Sequence, residues 1–249
     1  MSFAFIPACG EEALSRFFSR GRKAATLAYS LDRPFPMPRS ALRGGCMVLG
    51  GRIRSARAAE TANECRRRGI DTVVCGFSPC PGLELLRFCE FLRRRGIRCV
   101  VAEQLWQEGC GAAVLLSTAI SGGTLRQRLE EAISRCGEVY LDLERTRRAF
   151  SLPCPDGAGR LILREELDRS FQEAETCFFS PELQCKVLVM RREAEVRFIL
   201  YDDADTLRSK TRLAQELGIS RGFLLMPEEW SPDELELLEQ AEKNPAIRR

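Results

Sequence analysis

The sequence contains no histidine. That absence removes Ser-His-Asp and Cys-His catalysis, histidine-ligated zinc and histidine-based pH switching together. Lysine is scarce, with four among the 38 basic residues, the other 34 being arginine. No apolar run approaches the roughly 18 residues that a membrane-spanning helix needs, so no membrane partner is expected. No Cys-x-x-Cys pair occurs, and the nearest spacing, Cys75 to Cys80, has Pro79 within it. No metal site is therefore expected. The Gly-x-Gly-x-x-Gly phosphate loop is missing too, because Gly50-Gly51 after Met47-Val48-Leu49 is too little to stand for one. No cofactor is expected.

What is present describes a globular chain. Its 249 residues are 45% hydrophobic and 29% charged, enough for one large domain or two small ones. The net charge is only +3. The arginine preference reads as the codon usage of a GC-rich genome rather than a basic patch, so no nucleic-acid partner is expected. The twelve cysteines sit mostly inside apolar segments such as Thr72-Val73-Val74-Cys75 and Cys99-Val100-Val101. Buried, reduced thiols are the expected state. The first nine residues lack the basic region and the apolar length of a signal peptide, and the expected location is cytoplasmic.

The organisation shows in an internal repeat. Arg66-Arg67-Arg68-Gly69-Ile70 precedes Val73-Val74, and 27 residues on Arg93-Arg94-Arg95-Gly96-Ile97 precedes Val100-Val101. Each unit reads as a helix, a glycine stop in the left-handed region and a short strand. The arginines suit the negative end of the helix dipole, a reading preferred here to phosphate binding. Weaker copies are a helix over 124–136 followed by a strand over 138–144, and a helix over 204–217 followed by a strand over 222–226. Further strands are expected at 46–50, 113–119, 186–191 and 196–202, with 24–30 as another candidate. Alternating strands and helices at this spacing predict an α/β fold, a closed (β/α)8 TIM-type barrel, irregular or incomplete in places. An open doubly wound sheet is the competing architecture. Residues 1–40, with Pro34, Pro36 and Pro38, are expected as an extended segment packed on a single barrel domain over 41–249.

The strand 138–144 carries the most chemistry. Val139, Leu141 and Leu143 share one face, and Tyr140, Asp142 and Glu144 share the other. In a barrel the second face points inward, with Asp142 and Glu144 at the C-terminal end where barrel active sites lie. Two carboxylates this close repel, and repulsion holds a proton on one of them near neutrality, as a general acid requires.

Leu141-Asp142-Leu143-Glu144 resembles the end of the DxxDxDxE strand motif of family-18 glycoside hydrolases. Val114-Leu115-Leu116-Ser117, running to Ser121-Gly122-Gly123, is similar to that family's strand and SxGG element. Phe198 to Leu207, with Tyr201-Asp202-Asp203, looks like a late barrel unit of the branch that holds bacterial spore cortex and germination hydrolases. Together these stretches span 112–230. The resemblance implies a barrel acting on N-acetylated glycans by substrate-assisted retention, with no second protein nucleophile. It implies Glu144 as general acid and Asp142 as the residue orienting the acetamido group. Tyr140, Tyr201, Asp202 and Trp230 would contact the glycan. The pattern also departs from the family. Gly137 and Tyr140 stand where its first two aspartates belong, Ile120 stands at the SxGG serine, and Met226 takes the place of the tryptophan beneath the sugar. A non-catalytic barrel that binds N-acetylated glycan is the reading preferred here. An active glycosidase on chitin- or peptidoglycan-type glycan and an unrelated α/β or nucleotide-binding enzyme are the alternatives.

Overall fold

The computed structural model describes residues 3–9, 25–29, 45–50, 53–76, 82–153, 159–192 and 195–225. Its strands are β1 (Ala4–Cys9), β2 (Ala25–Tyr29), β3 (Cys46–Leu49), β4 (Thr72–Cys75), β5 (Arg98–Ala102), β6 (Ala113–Ser117), β7 (Val139–Leu143), β8 (Arg147–Leu152), β9 (Arg160–Leu161), β10 (Thr176–Ser180), β11 (Cys185–Arg192), β12 (Glu195–Tyr201) and β13 (Arg221–Leu225). The described helices are α1 (Ala58–Arg68), α2 (Gly82–Arg93), α3 (Leu125–Cys136), α4 (Arg164–Glu173) and α5 (Ala204–Glu216).

Eight strands close a barrel in the order β1-β13-β7-β6-β5-β4-β3-β2, and every neighbouring pair is parallel. The (β/α)8 expectation therefore holds over the open sheet. The two arginine repeats form adjacent units. Helix α1 ends at Arg68, Gly69 turns left-handed at φ 67°, and the Ile70 N–H closes on the Cys65 carbonyl at 2.8 Å. Helix α2 ends at Arg93, and Gly96 turns at φ 74°. The strands that follow pair in parallel, Thr72 opposite Arg98 through Cys75 opposite Val101. Arg67 and Arg68 pair with Glu64, and Arg94 with Glu90, as helix-end charges do.

The two sides of the staves bury different partners. Inside lie Ile6, Ala8, Cys46, Val48, Val74, Val100, Ala113, Leu115, Tyr140 and Phe223. Outside, Met47, Val73, Cys99 and Val101 pack under α1 and α2, while Val114, Leu116, Val139, Leu141 and Leu143 pack under α3 and α5. An alternation of period two, apolar on both sides, is what a parallel sheet sheathed in helices requires.

The structure departs from the sequence reading in two places. Residues 1–40 read as an extended segment packed on the barrel with a strand candidate at 24–30, and the structure draws two of its eight staves from them, β1 and, at that candidate, β2. Pro7 lacks an N–H, and pairing of β1 with β2 starts only beyond it, at Ala8 opposite Ala25. The second departure is larger. Residues 186–191 and 196–202 were expected as barrel strands, but they belong to a separate five-stranded antiparallel sheet ordered β10-β11-β12-β8-β9. The connection is the reason. Arg192 lies opposite Glu195, and so short a link permits only an antiparallel pair, whereas parallel strands need a crossover of about a dozen residues. This sheet and α4 form an excursion over 146–202, inserted between β7 and α5.

One face of the inserted sheet is sealed by α4, which buries Ala149, Leu188, Met190, Ile199 and Tyr201 with Ile162 and Leu167. The excursion leaves and returns at one point: the Asp202 N–H donates to the Thr146 carbonyl, and the Thr146 N–H donates to Asp202 Oδ2, both at 2.9 Å.

Nine cysteine side chains are described, seven of them buried, and none forms a disulfide among the described residues. Burial pushes the Cys65 and Cys185 thiols up to about 12. Thiol labelling of native protein, read by mass spectrometry, is therefore expected to mark Cys177 first among these nine. The seven buried thiols should react only on unfolding. Rapid native labelling of Cys65 or Cys185 would contradict this packing.

Candidate functional site

The described part of the barrel's C-terminal end centres on β7. Its outward residues Val139, Leu141 and Leu143 are buried against helices, and Tyr140 is in the barrel interior. By alternation Asp142 is the next inward residue, and Glu144 follows the strand end, as the sequence pattern implies.

Neighbouring strands hold Asp142 by its backbone. Ser117 lies opposite it on β6 and Phe223 on β13. The Thr118 N–H and Oγ both donate to the Asp142 carbonyl at 3.1 Å. The Ser117 Oγ is turned to the Ala119 N–H at 3.2 Å. Asp142 Oδ1 is buried without a hydrogen-bond partner among the described residues. Desolvation pushes this carboxyl up to about 7, and the Glu144 charge adds to the shift. The sequence pattern points to repulsion as the cause of a proton retained on one of the two carboxylates, and the family resemblance makes Glu144 the acid. On Asp142 the upward shift comes first from burial and only second from repulsion. Glu144 itself is half-buried, and its neighbour Arg145 turns away to donate to the Asp202 carbonyl at 3.0 Å.

The expected glycan contacts divide. Tyr140 is 2% exposed, and its hydroxyl accepts from Arg98 at 3.0 Å and Arg221 at 2.9 Å. Arg98 and Arg221 open β5 and β13, so Tyr140 plugs the barrel's floor rather than its mouth. Its ring stacks on Phe223 with centroids 5.8 Å apart. Tyr201 is buried beneath α4, edge-on to Phe171 at 5.1 Å. Asp202 is buried and saturated: Oδ2 accepts from Lys210 at 2.7 Å and from the Thr146 N–H, and Oδ1 accepts from the Thr206 hydroxyl at 2.9 Å. Asp203 then caps α5, accepting from the Thr206 N–H at 2.9 Å. Tyr201 and Asp202 looked like mouth residues because 196–202 read as a barrel stave; at the foot of an inserted sheet they build the joint instead. Trp230 and Met226 lie outside the described residues. Thr118 was not singled out from the sequence, although Ser117-Thr118 closes a strong apolar strand just before Ser121-Gly122-Gly123. Among the described residues no cluster of cysteine and carboxylate side chains has the form of a metal site, and no helix is long and apolar enough to cross a membrane.

No protein-family model and no curated protein sequence matches the chain. Solved structures do. A glycoside hydrolase family 18 N-acetylglucosaminidase from Paenibacillus barengoltzii superposes with a TM-score of 0.67 at 12% identity, over 96% of this chain and 99% of that one. The spore cortex-lytic enzyme SleL of Bacillus megaterium gives 0.63 at 12% identity, over 96% of this chain and 74% of that one. A family GH18 chitinase from Cycas revoluta, in complex with allosamidin, gives 0.57 at 14% identity, over 96% and 99%. The fold is therefore a family-18 glycoside hydrolase-like barrel.

Proposed function

We propose that the barrel mouth binds an N-acetylated glycan and has lost hydrolysis. The observation that carries this reading is the carboxyl of Asp142, desolvated, with Oδ1 bare and its proton held to about 7. Substrate-assisted cleavage needs a transferable proton on the group that reaches the leaving oxygen, which the resemblance makes Glu144. Here the carboxyl that burial drives upward lies one inward position deeper, on Asp142. A bare, buried acceptor still suits an amide N–H, because a ligand that donates there ends the desolvation penalty. Binding without proton delivery is what this arrangement supports. The fold neighbours act on or are named for chitin and spore cortex, so chitin oligomers and peptidoglycan fragments are the two ligand classes to try. The buried thiols favour a reducing, cytoplasmic compartment.

Titration calorimetry with N-acetylglucosamine oligomers and with muropeptides should show saturable binding to the wild type, weakened by Asp142→Asn. Reducing-end assays should show no turnover above that of Glu144→Gln. Wild-type hydrolysis that falls by about 10²–10⁴ in Glu144→Gln would instead establish an active glycosidase with Glu144 as its acid. Failure of both oligomer classes to bind would sink the glycan reading.

A further inference from the structure

At the N-terminal ends of the strands, opposite the mouth, the barrel floor carries an arrangement that the glycan reading does not use. Arg98 and Arg221, from strands on either side of β6 and β7, both point a guanidinium N–H at one atom, the Tyr140 hydroxyl oxygen. Two cations drawn to one neutral oxygen repel each other, and with Arg98 and Arg221 at 45% and 43% exposure water screens part of that repulsion. Glu138 is the carboxylate between them, yet its Oε1 stands 3.8 Å from Arg98 and 4.0 Å from Arg221, beyond hydrogen-bond length for either. Asp71 acts on Arg98 from the β4 side and forms no part of the cavity wall.

The cavity is the second observation. About 310 Å³ opens here, walled by Arg98, Tyr140, Arg221, Glu138, Gly218 and Ser220 among others. Tyr140 is 2% exposed and lines it. Its oxygen has both lone pairs taken by the guanidinium donors, so its own O–H proton still requires an acceptor. Among the described residues no group accepts it. The cavity therefore presents a phenolic donor and two forked guanidinium groups, each with donors to spare.

We propose that this floor cavity binds a phosphate-class oxyanion, free or as a monoester. A tetrahedral oxyanion supplies what is missing: one oxygen accepts from the Tyr140 O–H, others take forked pairs from Arg98 and Arg221, and its charge relieves their repulsion. Glu138, exposed and loosely held, is the occupant that the anion displaces. The remaining volume takes the organic part of a monoester. The site is independent of the mouth and of what binds there.

Calorimetry with inorganic phosphate and with glucose 6-phosphate tests this, with acetate as the contrasting anion. Saturable binding of at least one phosphate species, with acetate silent, is expected; tighter binding of glucose 6-phosphate would assign a monoester and tighter binding of phosphate a free ion. Arg221→Gln should weaken binding by roughly tenfold or more, the loss of a charged hydrogen-bond partner. Tyr140→Phe, which deletes only the O–H, should weaken it severalfold. Glu138→Gln should do the opposite and tighten binding, because the competing carboxylate is gone. Glu138 is surface-exposed, so this variant keeps the test sharp even where a floor variant fails to fold. No saturable phosphate binding, equal binding of acetate, or Glu138→Gln binding no tighter than wild type would overturn the proposal.

Discussion

Lys210→Met is expected to destabilise the protein by about 3–5 kcal/mol, the cost of leaving a buried carboxylate without its cation. The side chains of Lys210 and Asp202 are 1% and 0% exposed, with Nζ 2.7 Å from Oδ2. Methionine fills the space of the lysine stem but supplies no charge. Asp202 would keep the Thr146 N–H and the Thr206 hydroxyl, two neutral donors for a full negative charge. The loss falls at a joint, because Asp202 ties the start of the excursion at Thr146 to the first turn of α5. Urea denaturation should register it as a lower midpoint, with a fall in Tm of about 10 °C for a chain of this size. Pairing the change with Asp202→Asn should recover much of the loss, since the uncompensated charge then disappears. The exposed pair Arg126–Glu216, both residues half-open to water, should contribute less than about 1 kcal/mol when either partner is removed. A loss under about 1 kcal/mol for Lys210→Met would show that water reaches Asp202.

The sequence carried the barrel where local signals and global fold agreed. The arginine repeats mark helix ends, glycine stops and adjacent parallel strands in one short pattern, and all three are realised between Arg66 and Val101. The strand at Asp142 was legible for a similar reason: period-two alternation is independent of which stave it becomes. The joint at Asp202 was not. Phe198-Ile199-Leu200-Tyr201-Asp202 has the apolar run of a buried stave, and such a run does not say which sheet it joins. The decisive signal was the short gap between Arg192 and Glu195, too short for a parallel crossover. Stave β1 was obscured by Pro7, whose cue is for irregular chain, whereas β2 was a candidate at 24–30 despite Pro34, Pro36 and Pro38 beyond it. At the candidate site the pattern identified the two carboxylates but not which of them holds the proton. The desolvation that drives Asp142 upward comes from its surroundings, where Thr118 binds the backbone and nothing described reaches Oδ1, and sequence spacing has no access to it.

Asp142→Asn should therefore stabilise the protein, and only at higher pH. An aspartate in the unfolded chain titrates near 3.9, whereas burial lifts Asp142 to about 7 in the folded state. The folded protein binds this proton more tightly, so its contribution to stability is complete below pH ~4 and is lost as pH rises to about 7. Above that the wild type must hold a desolvated charge, at a cost of up to about 4 kcal/mol. Asparagine never ionises. Denaturation curves at about pH 4 should give variant and wild type nearly equal stability, and at about pH 8 the variant should lead by about 2–4 kcal/mol. A gap that does not change across that range would refute the assignment of the proton to Asp142. The same substitution should weaken glycan binding at the mouth, because it replaces one bare carboxylate oxygen with an amide whose donor faces the ligand's own N–H. A residue that lowers stability at neutral pH yet is needed for binding is the mark of a site kept for a ligand. If Asp142→Asn gained stability with no loss of oligomer binding, Asp142 would be a buried charge without a ligand, and the mouth would need a different explanation.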